Sequence, residues 1–207
     1  MFIKSKKYVS LGIFLSIVLV VSISVHYKNK PRNMVNKDIN VEALYISYNT
    51  EDELAKNSDA IIVGEVLKDF KDREHIEKYI NVNSVGDKGD KRMTDFYTIS
   101  DINVISVIKN YDNTIKENSN MKILEPITQY QNNNEQITLR REGYQELKTK
   151  TKYIIFLARN TEGVFVVFNP YIGKFSINES VQKNEEYTSI TKKIESDVFT
   201  KYSQYLK

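Results

Sequence analysis

The chain of 207 residues has no cysteine and no tryptophan, and it holds only two histidines, three prolines and seven glycines. Without cysteine, neither disulfides nor a thiolate metal site can hold the fold, and no lipid-modified cysteine can follow an export signal. The two histidines, His26 and His75, leave little imidazole for metal ligation or general-base work. No nucleophile elbow G-x-S-x-G, phosphate loop G-x-x-x-x-G-K or dinucleotide fingerprint G-x-G-x-x-G can be read. A concentrated basic surface is also missing. The net charge of +3 conceals a division: residues 1–37 carry seven Lys/Arg and no acid, while residues 38–207 carry 23 basic and 27 acidic side chains. The larger part is mildly acidic, which argues against nucleic acid as a partner.

Lysine is plentiful instead, at 24 against six arginines, the bias expected of an AT-rich coding sequence. Lys4, Lys6 and Lys7 precede an uncharged run from Tyr8 to Val25. As a helix those 18 residues span about 27 Å, close to the hydrocarbon thickness of a bilayer. A basic start before an apolar run predicts an N-terminal transmembrane or signal helix within residues 1–27. The A-x-A ending of a cleaved signal is absent, Ser22-Ile23-Ser24 being its nearest substitute, so a retained single-pass anchor is favoured over secretion after cleavage. Lys28, Lys30, Arg32 and Lys37 follow the run and nearly balance the positive charge on its two sides. The signal-like start places the remainder outside the cell membrane.

Residues 28–49 read as a polar tether and 50–207 as one domain. Thr50 and Glu53 form a capping box for a short helix. From Ala60, AIIVGEVL has strand length, and Gly64 within it fits a bulge or a tight bend. Residues 69–95 are charged and read as a long hairpin connection or a mobile loop, with a helical turn around Arg73–Tyr79. Phe96–Ile108 is the longest β-like stretch; Ile102, Val104 and Ile108 share one alternation phase, and Ile99, Ile105 and Val107 the other, as in a sheet that curls and changes packing partners. MKILEPI (121–127) is a strand interrupted by Pro126, QYQNNNEQ (129–136) a polar loop, and Ile137–Leu139 a short extended piece. YIIFL (153–157) and VFVVF (164–168) flank a hairpin turn at Gly163. Tyr187, Ile190, Ile194, Val198, Tyr202 and Tyr205 recur at steps of three and four, one face of a C-terminal amphipathic helix.

SDAIIVGEV, YTISDINVISVIKN, NMKILEPI and GYQELKTKTKYIIFL, spread over residues 58–177, together resemble netrin-like and metalloproteinase-inhibitor-like modules of extracellular proteins. The matching pieces are Ile62–Val66, Val104–Asn110 and Gly143–Leu157. That resemblance implies an OB-fold barrel. It carries no inhibitory chemistry, because the animal inhibitors reach a protease's zinc through an N-terminal cysteine that this chain lacks. The fold class expected is mainly β: an OB-like barrel of five to seven strands with a C-terminal amphipathic helix.

The chemistry to place on that frame is sparse. S-x-x-K occurs at Ser106, Ser180 and Ser189, among others, without the accompanying motifs of a Ser/Lys enzyme. His75 sits in KDREHIEKY and reads as a solvated surface residue. Asp72, Glu74 and Glu77 lack the glycine turn of a calcium loop, and lysines interrupt the acids of VGDKGDK. Fourteen tyrosines are the distinctive asset, since a phenol offers both a stacking plane and a polar handle. Tyr97, Tyr144, Tyr153 and Tyr171, with Arg140 and Arg141 beside Lys148, Lys150 and Lys152, are the candidate ligand-binding residues. The expected function is a membrane-tethered interaction module of the cell envelope, bound to the membrane through residues 8–25 and to an envelope protein or anionic polymer. No catalytic residue, metal or cofactor is expected. An envelope hydrolase with scattered site residues and an inhibitor of a secreted protease are the competing classes.

Overall fold

The computed structural model describes residues 34–84, 87–177 and 189–206, of which 83, 84 and 87–90 are described by their backbone alone. The chain divides into two compact units, Met1–Val35 and Asn36–Lys207, and the second carries the architecture below. The expected anchor over residues 8–25 lies outside the described residues.

Five strands close a barrel. β2 (Ala60–Val66) pairs antiparallel with β4 (Asp87–Asn110), and β4 with β5 (Ser119–Glu125). β5 lies parallel to β9 (Phe165–Val167), β9 antiparallel to β8 (Lys152–Arg159), and β8 antiparallel to β2, which completes the ring. A short β10 (Lys174–Ser176) adds to the outer side of β8.

The composition of β2 and β8 follows from their position. AIIVGEV and YIIFL are apolar on both faces because both faces are buried. Inward, Ala60, Ile62, Tyr153, Ile155 and Leu157 join Ile102, Val104, Ile123, Phe165 and Val167 inside the barrel. Outward, Ile61, Val63, Ile154, Phe156 and Phe175 pack on Leu54 of α1 (Glu51–Asn57) and on Ile194 and Val198 of α2 (Ser189–Lys201). Gly64 sits at a shift in the β2–β4 register, where an added Cβ would lie 2.6 Å from Ile102 Cγ2 and 3.2 Å from the Asn103 carbonyl. That is the tight bend marked by glycine in an otherwise branched strand. α1 begins with the capping box: Glu53 N–H donates to Thr50 Oγ1 at 3.2 Å, and the Glu53 carboxylate accepts from Asn49 N–H at 2.9 Å.

Three stretches depart from their sequence reading. Residues 69–95 are neither a mobile loop nor an unpaired hairpin connection, but paired strand for most of their length. After one 3₁₀ turn at Phe70–Asp72 they form β3 (Glu74–Ser84) and the first part of β4, a long two-stranded ribbon. Much of the ribbon is open to solvent, so its charged sequence shows no apolar alternation. QYQNNNEQ is likewise strand: β6 (Ile127–Asn132) and β7 (Glu135–Arg141) meet at a tight turn where Asn133 has φ 54°. Asparagine is one of the few residues that tolerates this conformation, as two-residue hairpins require. Part of the polar tether forms β1 (Val35–Val41), which joins β7 and β6 in a three-stranded sheet. That sheet packs against the ribbon through Ile39, Val41, Tyr130, Ile137, Leu139, Met93 and Phe96.

Candidate ligand face on the open side of the barrel

The barrel wall has a covered half and an open half. Helices α1 and α2 lie over β2, β8 and β10. Over β5, β9 and the part of β4 around Tyr97 and Ile99 no helix packs among the described residues. At the far end of β4, by contrast, Ile105 and Ile108 join the helix-covered cluster and Lys109 donates to the Ala55 carbonyl at 2.7 Å. Residues paired across antiparallel strands share a face. The register therefore sets Glu74, Ile99, Leu124 and Val166 in one outward row, with Ile76 beside Tyr97 in the next. Their neighbours Thr98, Ser100, Ile123, Phe165 and Val167 point inward and are buried. The five apolar side chains Ile76, Tyr97, Ile99, Leu124 and Val166 are each half-buried and belong to none of the three cores.

Charge frames this strip. Lys78 Nζ lies 5.2 Å from the centre of the Tyr97 ring and 3.6 Å from Glu162 Oε1 in the β8–β9 turn. The pair joins the ribbon to that turn across the open face. On the other side Asp101 is held between Lys122, at 2.8 Å, and Lys68, at 3.2 Å. Hydrogen bonding to Lys122 and Lys68 keeps its carboxyl below the usual carboxylate range.

One end of the barrel is closed by a buried polar hub. Glu125, with no solvent exposure, accepts from Arg73 Nη1 at 2.6 Å, Tyr144 Oη at 2.9 Å, Leu147 N–H at 2.8 Å and the Ser100 hydroxyl. Arg73 also donates to the Leu147 carbonyl and, through Nε at 2.8 Å, to that of Lys68. A buried ion pair needs such full satisfaction to offset its desolvation. Beside the hub, Lys174 Nζ donates to the Gln145 carbonyl and stands 4.3 Å from the centre of the Tyr144 ring and 5.7 Å from that of Tyr153. Burial pushes this ammonium down to about 8.

The six candidate ligand residues separate in space. Tyr97 belongs to the open strip. Tyr144 and Tyr153 are core residues beneath Lys174 and expose no ring plane. Arg140 bonds Asp38 at 3.1 Å and Gln145 Oε1 at 3.0 Å, which ties β7 to β1 and to the following loop. Arg141 pairs with Asp95 and lies 5.0 Å from the centre of the Phe96 ring. Tyr171 donates to Glu142 Oε2 at 2.6 Å. The basic cluster therefore spends its two arginines on joining elements. Sequence reasoning missed Ile76, Ile99, Leu124, Val166 and Lys78 as companions of Tyr97. The second alternation phase, which contains Ile99, was the available signal.

His75 is not a solvated surface residue. β6 covers it, its Nδ1 lies 2.9 Å from Thr98 Oγ1, its Nε2 is buried without a hydrogen-bond partner, and burial lowers its pKa below 6.5. The pairing of a hydroxyl with an imidazole resembles a nucleophile and base. Thr98, however, is fully buried and donates to the Ile127 carbonyl at 2.6 Å, so no substrate can reach its oxygen. Among the described residues no group of three or more His, Asp or Glu side chains is placed to hold a metal ion. No helix among them is long and apolar enough to cross a membrane. Comparison with family models, curated proteins and solved structures finds no match to this chain.

Proposed function

We propose that the chain is a membrane-tethered, cell-envelope interaction module without catalytic chemistry of its own, whose OB-like barrel docks a partner on its open face. The observation that carries this reading is the contrast between the two halves of the barrel wall. Helices seal one half, while the other leaves a half-buried strip of Ile76, Tyr97, Ile99, Leu124 and Val166 in a charged frame. Apolar strips rimmed by charge mark interaction sites.

The OB-like assignment is supported by the strand order β2-β4-β5-β9-β8, with its single parallel pair between β5 and β9. In OB folds the face of the second and third barrel strands takes the ligand. Those strands are β4 and β5 here, the two that carry Tyr97, Ile99 and Leu124. The tether is supported by the 18-residue uncharged run after Lys4, Lys6 and Lys7, with the domain outside and an envelope protein or anionic polymer as partner.

Site-specific photocrosslinking in intact source cells tests the reading. A photoreactive residue at Val166 should give a discrete adduct, and one at Lys193 on α2 should give none. Equal labelling at both positions, or none at Val166, would contradict it.

A further inference from the structure

We infer that the free edge of β3 is a strand-addition site for an extended peptide that carries an acidic residue between two apolar ones. The inference rests on the interaction-module reading and narrows it to one part of the same face. β3 has 11 residues and, among the described residues, pairs on one side only, with β4. Its other side presents a row of unpaired backbone donors and acceptors about 37 Å long. Among the described residues β1, β6 and β10 also have an unpaired side, but they are seven, six and three residues long.

Edges are blunted by proline, by a bulge in the edge strand, by shortness or by charged side chains, lysine above all, and of these β3 carries only the charges Glu74, Glu77 and Lys78. β3 has no proline, and the pairing shift between Lys78 and Tyr79 places its extra residue, Thr94, in β4. β3 itself keeps regular alternation, so Ile76, Lys78 and Ile80 project from one face. Ile80 is 53% exposed and Tyr79, on the other face, 48%. An added strand sets its own alternate side chains beside these three. The complement of isoleucine, lysine, isoleucine is apolar, acidic, apolar at every second position. Glu162 already previews the central contact: it meets Lys78 at 3.6 Å from an exposed turn, and an incoming carboxylate takes its place.

The test uses the full chain in detergent micelles and two fluorescein-labelled nonapeptides, with cores Val-Thr-Glu-Thr-Val and Val-Thr-Lys-Thr-Val. Binding is read by anisotropy, and the contact by hydrogen exchange. The glutamate peptide should bind about fivefold more tightly than the lysine peptide. Glu162→Gln should tighten it by releasing Lys78, Lys78→Glu should reverse the preference, and exchange should slow over residues 74–82. Lys78 and Glu162 are both solvent-accessible, so circular dichroism should show an unchanged fold in each variant. Absent or charge-indifferent binding would overturn the proposal, as would unchanged exchange over β3. So would protection of β3 before any peptide is added, which would assign the edge to another segment of this chain. A retained adduct at Val166 alongside such a failure leaves the interaction module standing; loss of both removes both.

Discussion

Glu125 commits a carboxylate to the barrel interior, and the four donors around it are drawn from β4, the turn before β3 and the loop after β7. Removing one partner strands the other charge, which costs about 3–5 kcal/mol. Arg73→Leu should lower unfolding stability by that amount in urea titrations followed by tyrosine circular dichroism. A loss below about 1 kcal/mol would show that the hub is not buried as described. Lys174 offers a second check, through pH. Its folded pKa of about 8 lies below the unfolded value of 10.5, so the unfolded chain binds the extra proton between those values. Stability therefore rises with pH across that window and is lost again as pH falls through 8. Relative to Lys174→Met, the wild-type chain should gain on the order of 2 kcal/mol from pH 8 to 10.5. The difference between the two chains cancels the tyrosines, of which Tyr144 and Tyr202 have raised pKa values that act in the opposite sense. A constant difference across the window would contradict the burial of the Lys174 ammonium. None of this was legible in the sequence. Arg73 stands in a run of charges and lies 52 positions from Glu125, so nothing local marks either as interior.

At the scale of elements, legibility followed burial. β2, β8 and α2 were readable because each has a deeply buried side and shows it as an apolar run or a three-four repeat, although in that repeat Ile190 is exposed and Tyr187 lies outside the described residues. The β3–β4 ribbon and the β6–β7 hairpin were legible only in part, as one of two readings (a hairpin connection) and as the extended piece Ile137–Leu139, because their cohesion comes from pairing with each other and from a few contacts around Phe96, Ile137 and Leu139. The open face was half legible: Ile99 stood in the second alternation phase, but its row with Leu124 and Val166 depends on a parallel pairing that spacing cannot reveal. α2 is the element whose contribution is easiest to measure. Ile194 and Val198 are buried against the barrel, while Tyr202 and Lys201 reach Glu51 on α1. Ile194→Ala should cost about 2–4 kcal/mol in the same urea titration. A cost within about 0.5 kcal/mol, the range of a surface change, would mean that the helix does not seal the wall.

For the whole molecule, the division of the barrel into a sealed and an open half makes a claim about use rather than stability. A half-buried strip contributes modestly to the fold, so changing it should separate binding from folding. Leu124→Glu places a charge in the centre of the Ile99–Leu124–Val166 row while leaving the inward core residues untouched. The decisive measurement is the photocrosslinked adduct at Val166 in this variant, taken together with its melting temperature. Loss of the adduct with melting held within about 4 °C, the shift expected for a change near 1 kcal/mol in a chain of this size, is the outcome expected of a docking face. An adduct that persists, or that disappears only because the protein no longer folds, would contradict it.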